Sequence, residues 1–283
     1  MNKDLNLVII DFQNDFCDLP NSYISNHYIP SLPITGSHFS ALHTTKLIYY
    51  LIENINSIQV FLDTHQRYDI GHFDFWSIKG VTPILKITEI TKQDFENNLF
   101  TPIQDVEVEV MDYFNKLETI NINSIWVYPP HCIYGTIGHN IHPNISAAIA
   151  CWEIENTKNT NYILKGTEPI SEHYSGLKAV YPEINKPSTL MNLEAVNKYL
   201  NNKVTVFVGQ ASTHCVPQHI QDAIDYIQES KKDFDFSRFI ILTDCMNPIP
   251  GFEYRYDNFI NIVKSLGVRV MTSLELIELY REK

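Results

Sequence analysis

The sequence is short of positive charge: 21 Lys and Arg stand against 33 Asp and Glu in 283 residues, for a formal net charge of -12 at pH 7. No concentrated basic stretch occurs. Nothing is therefore available to neutralise the phosphates of nucleic acid or an anionic membrane surface, and neither is expected as a partner. No apolar run approaches the roughly 20 residues that span a bilayer. The opening "MNKDLNLVIIDFQ" holds only a short one, interrupted by Asp11. Cysteine is sparse: Cys17, Cys132, Cys151, Cys215 and Cys245 are odd in number, widely spaced and form no C-x-x-C pair. That argues against a disulfide framework and a thiolate zinc site, and for a reducing, cytoplasmic setting. Internal repeats and low-complexity tracts are also lacking. What remains is a chain that is 44% hydrophobic, enough for a sizeable core, with small molecules as the expected partners.

Short β-branched runs recur along it: 5 to 10, 57 to 62, 124 to 128, 161 to 165, 204 to 209, 238 to 243 and 268 to 272. Their apolarity is continuous rather than alternating, as in strands buried on both faces. Helical periods fall between them. Within 215 to 227, Val216, Ile220, Ala223 and Ile227 share one face, and Pro217 is tolerated in the first turn. Further helices are predicted at about 37 to 55 and 254 to 266. Alternating strands and helices predict a three-layer α/β/α, Rossmann-like fold with a mainly parallel central sheet. The acidic stretch from about 77 to 123 breaks the rhythm. With one helix near 105 to 119 and a weak apolar pattern, it reads as an insertion within a single domain covering 1 to 283.

In such sheets, ligands gather at the carboxyl ends of the strands. Those ends carry Asp11 and Asp15, then Asp63, His65 and His72, then His131, then Lys165, and finally Cys215 in "VTVFVGQASTHCVPQHI". A cysteine thiol loses its proton more readily at a helix N-terminus or beside a cation, and Cys215 has both candidates, its own helix and Lys165. Asp11 is placed to take the thiol proton and return it to a leaving amine. Backbone N–H groups of Cys215 and of the "GQAS" turn are candidates for holding an oxyanion. The pattern is a Cys-Asp-Lys triad for acyl transfer. Asp63-x-His65 puts two ligand atoms on one side of an extended segment, with His131 or His72 to complete a site suited to a divalent Zn, Fe or Mn ion.

These residues resemble the nicotinamidase branch of the isochorismatase-like cysteine hydrolases. "DFQNDFC" (11 to 17) resembles the family's D-x-Q-x-D-F, "DTH" (63 to 65) its metal-binding D-x-H, and "PPHC" with "GTIG" (129 to 138) its W-P-P-H-C-x-x-G-T-x-G. "KG" (165, 166), "YSG" (174 to 176) and "GQASTHCV" (209 to 216) follow in order. The resemblance implies Asp11 as general base, Lys165 as stabiliser of thiolate and transition state, and Cys215 as nucleophile. It implies Asp63, His65 and His131 as ligands of a divalent metal, with His72 a further candidate. It also implies a cis Gln210-Ala211 bond that feeds the Ala211 N–H into the oxyanion hole, a ring pocket lined by Phe16 and Tyr128, and a homo-oligomer. The reaction implied is hydrolysis of a small amide, with nicotinamide to nicotinate as the leading case. Tyr128 stands where the family usually has Trp, and Thr213 where it has Asp.

Two other readings compete. One is a relative that hydrolyses another amide, a carbamoyl compound or a vinyl ether; the other is an inactive scaffold of the same fold. The joint presence of Asp11, Lys165 and Cys215 counts against the scaffold, because unpaired buried charge is expensive. His139, His142 and His173 are read as structural, and Cys17, Cys132, Cys151 and Cys245 as packed thiols. Glu172 is read as a local partner for His173.

Overall fold

The computed structural model describes residues 4–24, 28–79, 82–231 and 233–281, so positions 80 and 81 of the expected insertion lie outside the described residues. In chain order the elements are β1 (Leu5–Ile10), α1 (Ser37–Tyr50), β2 (Ile55–Asp63), β3 (Trp76–Ile78), β4 (Thr82–Pro83), β5 (Thr88–Thr91), α2 (Lys92–Glu96), β6 (Phe100–Pro102) and α3 (Glu107–Glu118). There follow β7 (Ser124–Val127), α4 (Pro143–Asn156), β8 (Asn161–Lys165), α5 (Leu193–Asn201), β9 (Val204–Gly209), α6 (Cys215–Ser230), β10 (Phe239–Leu242), α7 (Glu253–Ser265), β11 (Arg269–Met271) and α8 (Ser273–Arg281).

Continuous apolarity in β1 has the meaning expected of it, since all six residues are buried. Successive side chains point to opposite faces. Leu5, Leu7 and Ile9 enter one core with residues of α1, α4 and α8, while Val8 and Ile10 enter another with residues of α5, α6 and α7. The result is a three-layer α/β/α fold. Its sheet has six parallel strands in the order β11-β10-β9-β1-β2-β8. The chain builds outward from β1 through β2 to β8, then returns to β9 on the other side of β1. The order therefore reverses between β1 and β9, where open α/β sheets form a ligand crevice. Backbones pack tightly at that point: Gly209 has φ +138°, and a Cβ there would lie 2.0 Å from the Ile10 carbonyl oxygen.

Three expectations need correction. The run at 124 to 128 is not a strand of the central sheet. β7 pairs antiparallel with β5 in a separate two-stranded ribbon, with only Ile125 and Val127 turned inward. The segment from 77 to 123 is not weakly apolar either. Its β3, β4 and β6 form a small antiparallel sheet, and Trp76, Phe95, Phe100, Val110, Phe114 and Leu117 join Ile125 and Val127 in a buried cluster of their own. The helices α4, α5 and α8 lie beyond those the sequence pattern picked out, and α1 ends at Tyr50, short of position 55. The predicted helices at 105 to 119, 215 to 227 and 254 to 266 correspond to α3, α6 and α7. No helix among the described residues is long and apolar enough to cross a membrane.

Candidate active site

The register of the sheet assembles the site. Asp63 at the end of β2 is the direct neighbour of Lys165 at the end of β8, and Ile10, just before Asp11, pairs with both Phe61 and Gly209. Four strand ends thus bring Asp11, Asp63, Lys165 and the approach to Cys215 to one edge. Lys165 Nζ lies 3.0 Å from Asp11 Oδ2, 2.8 Å from Asp63 Oδ1 and 3.9 Å from Cys215 Sγ, and it also donates to the His173 carbonyl at 3.1 Å. Asp11 also acts on the Cys215 thiol, which its negative charge helps to keep protonated. The Asp11 backbone is left-handed, with φ +50°, a conformation uncommon outside glycine.

Neighbouring motif residues fix this geometry without taking part in the cluster. The Gln13 side chain accepts from the Asp63 N–H at 2.7 Å and donates to the carbonyls of Asp63 and His139 at 2.8 and 2.9 Å. Asp15 accepts from the Cys132 N–H at 2.7 Å and from the Tyr28 hydroxyl and Ser31 N–H at 3.0 Å, tying three loops together. Gly138 is required beside it, since a Cβ there would meet Asp15 Oδ2 at 2.0 Å.

Electrostatics set the protonation states. Burial raises Asp11 to a pKa of about 7, and the nearby Lys165 only partly offsets that. Burial also pushes the Cys215 thiol well up; Lys165 opposes the shift, while Asp11 and Asp63 add to it. Cys215 is thus held as a thiol, not the thiolate that a helix N-terminus and a lysine alone would favour. Asp63 behaves in the opposite way. Burial works against its charge, yet His65 and Lys165 outweigh it and hold the carboxylate well below its usual range. Lys165 is held well above its usual range, because Asp11 and Asp63 overcome the cost of burying its charge.

Beside the triad lie three imidazoles. Ligand nitrogens of His65, His72 and His131 all fall within 4.8 Å of one another. Asp63 Oδ2 is 3.1 Å from His65 Nε2 and 3.5 Å from His131 Nε2, so the carboxylate faces the same point. His72, placed seven positions after His65, is as much a part of the cluster as His131. Asp69 accepts from His65 Nδ1 at 2.8 Å, and the Pro129 carbonyl from His131 Nδ1 at 2.8 Å, which orients both rings with Nε2 inward. Burial keeps His72 neutral, the form that ligates metals. Three imidazoles and one carboxylate, converging and backed by such partners, fit a divalent ion.

The turn before α6 supplies donors. The Gln210-Ala211 peptide is cis, and α6 starts at Cys215 itself. Among the described residues, neither the Ala211 nor the Cys215 N–H donates to an acceptor. No protein-family model and no curated protein sequence matches the chain. Solved structures do. The nicotinamidase pyrazinamidase of Acinetobacter baumanii aligns over 98% of this chain and 99% of its own, at 16% identity and a TM-score of 0.60. The yeast nicotinamidase aligns over 94% and 99%, at 14% identity and 0.62. A Pyrococcus horikoshii pyrazinamidase, solved in complex with zinc, aligns over 95% and 99%, at 16% identity and 0.51. The chain has the nicotinamidase fold.

Within that fold, a cavity opens over Cys215. Phe16, Tyr128 and Ala211 line it, together with Asp63, His65 and His131. The Phe16 and His131 rings meet edge to face at 5.2 Å. Leu32, Ile34 and Ile249 add apolar wall, and Thr213, where the family has Asp, accepts from the Ile249 N–H at 3.2 Å. Trp126, Glu172, Tyr174 and His214 also line the cavity. Sequence reasoning assigned none of them to the pocket. For Trp126 a signal was present: it stands two residues before Tyr128, so an extended segment turns both to one side.

The other single-residue readings divide. His139 meets Thr64 Oγ1 at 2.9 Å, and His142 caps α4 while meeting His38 Nδ1 at 3.0 Å, both structural. His173 lines the cavity, kept neutral by burial and then by Lys165, with a pKa of about 4. Glu172 does not answer His173. It accepts instead from the Trp126 N–H and the Tyr174 hydroxyl. Cys17, Cys132 and Cys245 are buried, whereas Cys151 is exposed on α4 rather than packed.

Proposed function

We propose that this protein is a metal-assisted cysteine amidohydrolase of small aromatic amides, with nicotinamide to nicotinate and ammonia as the best case. The observation that carries the reading is the contact of one buried ammonium, Lys165, with Asp11, Asp63 and Cys215, which joins a triad for acyl transfer to a metal-type cluster. Residues 1 to 283 are read as a single hydrolase domain with an insertion at about 77 to 123.

In this reading Asp11 takes the Cys215 proton as sulfur attacks the amide carbon. The developing oxyanion is received by the Ala211 and Cys215 N–H groups. Asp11 passes its proton to the leaving nitrogen, the C–N bond breaks, and ammonia departs from a thioester. A water then gives a proton to Asp11 and attacks; the C–S bond breaks, and the sulfur recovers its proton from Asp11. Lys165 stays charged throughout and balances the negative charge that moves between Asp11 and sulfur. Asp63, His65, His72 and His131 would hold the divalent ion, zinc, iron or manganese, which when bound supplies a Lewis acid to orient a ring nitrogen of the substrate. The wall formed by Phe16 and Tyr128 confines the ring.

The test is ammonia release from nicotinamide and a small panel of other amides by metal-loaded protein, before and after chelation. Turnover of nicotinamide that falls more than about tenfold on chelation and returns on adding metal is expected. Turnover indifferent to chelators would instead favour the alternative of a hydrolase with another amide, carbamoyl or vinyl-ether substrate. Silence on every amide would discard the reading.

A pH prediction follows from Asp11. Its pKa of about 7 means that below neutrality it carries a proton and has no room for the one on Cys215. The value of kcat/KM should therefore fall on acidification below about pH 7, approaching tenfold per unit. A profile that stayed flat down to about pH 5 would remove Asp11 from the base role.

A further inference from the structure

Glu172 belongs to neither the triad nor the histidine cluster, yet it stands on the wall of the same cavity as Cys215, 9% exposed. Asp69, another carboxylate on that wall, is already bonded to His65. Glu172 differs in having no cation paired with it among the described residues. Both of its hydrogen bonds, from the Trp126 N–H at 3.3 Å and the Tyr174 hydroxyl at 3.1 Å, land on one oxygen, Oε1. Among the described residues, Oε2 receives none. The residue is not free to swing away, because its N–H donates to the Tyr113 hydroxyl at 2.8 Å and its carbonyl accepts from the Val180 N–H at 2.9 Å.

A carboxylate only accepts hydrogen bonds, and burial without a counter-charge raises Glu172 to a pKa of about 7, so a donor reaching its open oxygen is what would hold it ionised at neutral pH. Space exists for a group that brings one. Trp126, Glu172, Tyr174 and His214 line both the catalytic cavity and a larger groove beside it, so a ring seated over Cys215 has somewhere to extend a substituent. Next to Glu172 the wall is polar as well: Tyr174 interacts with Tyr128, the residue that stands where the family has Trp.

We propose that Glu172 is a specificity-determining residue, whose open carboxylate oxygen receives an N–H donor carried by the substrate away from the scissile amide. The preferred substrate is then an aromatic carboxamide bearing an amino group, rather than the bare ring. This inference rests on the amidohydrolase reading and narrows its substrate class. A site built to bond a polar substituent discriminates strongly against the analogue that lacks it, because the site's own polar group is then left unpaired.

The test measures binding, so that it does not depend on turnover. Nicotinamide and its ring-aminated derivatives are titrated calorimetrically into metal-loaded Cys215→Ala protein, with and without Glu172→Leu, while the wild type is assayed for ammonia release from the same compounds. At least one aminated amide should bind about tenfold or more tightly than nicotinamide. That ratio should fall to about threefold or less with Glu172→Leu and be intermediate with Glu172→Gln. If Glu172 merely holds Tyr174 and Trp126 in place, both affinities drop together and the ratio survives, which overturns the proposal. Binding and turnover of nicotinamide without preference for any aminated form overturns it while sparing the parent reading. Neither binding nor turnover of any of these amides overturns both. Should the leucine variant fail to fold, Glu172→Gln decides on the same ratio, and an unchanged ratio there counts against the role.

Discussion

Replacing Cys215 with alanine should reduce ammonia release by on the order of 10⁴-fold or more, the scale on which loss of a covalent nucleophile is felt. No other thiol is placed to substitute. Cys17 and Cys245 are buried in the core, Cys151 is exposed on α4, and Cys132, although close to the histidines, is fully buried and pushed well up in pKa by that burial. The check is a coupled ammonia assay run beside ligand binding, since a folded variant should still bind amide while failing to cleave it. Residual activity above about one per cent of wild type would take the nucleophile role away from Cys215. The paired observation is a thioester, expected by mass spectrometry on the wild type and absent from the variant. Alkylation is a weaker discriminator, because exposed Cys151 will compete for the reagent and the resting Cys215 is held as a thiol.

Lys165→Met should be the most destabilising single change at the site. The lysine side chain is 1% exposed, between carboxylates that are 0% and 6% exposed, Asp11 and Asp63 respectively. Removing its charge leaves two acids facing each other across a space filled by an apolar chain, and breaking a buried ionic arrangement from one side costs about 3 to 5 kcal/mol. The sign of the pH dependence follows from Asp11. Near pH 5 it is neutral in the wild type, given a pKa of about 7, so the variant there has only Asp63 ionised, and His65 still faces that carboxylate at 3.1 Å. Near pH 8 the wild type has both acids ionised against the lysine, and the variant must hold both without it or take up a proton. The destabilisation should therefore grow from about pH 5 to about pH 8, as read by denaturant unfolding of metal-free protein. Equal stability of variant and wild type at both pH values would contradict the charge arrangement derived for the site. Activity should be lost at either pH.

The clustering of Asp11, Asp63, Lys165 and Cys215 was legible because the first three close or directly follow strands and the fourth opens the helix after β9. The parallel sheet was legible because apolar runs alternate with helical periods. What escaped was whatever periodicity cannot carry. The run "SIWV" reads as a buried strand, but nothing local says which sheet it joins, and β7 joins β5. Helix α4, "PNISAAIACWEIEN", mixes small and large apolar residues around its circumference and so lacks an obvious face; its usable signal was Pro143 at the first helical position. Helix α5 was not picked out either, although Asn192, which accepts from the Ala195 N–H at its start, is a capping residue type. The second layer of the pocket escaped because Glu172, Tyr174 and His214 matter through what lies opposite them in space, not through their spacing.

The ribbon formed by β5 and β7 ties the segment from 77 to 123 to the wall of the cavity. β7 buries Ile125 and Val127 in the segment's own aromatic core, and from the same strand the Trp126 N–H reaches out to Glu172 in the cavity wall. The wall is therefore a party structure shared by two separately packed interiors. Cutting out the segment would remove the footing of that wall. Phe114 shares that core with Ile125 and Val127, the neighbours in sequence of Trp126.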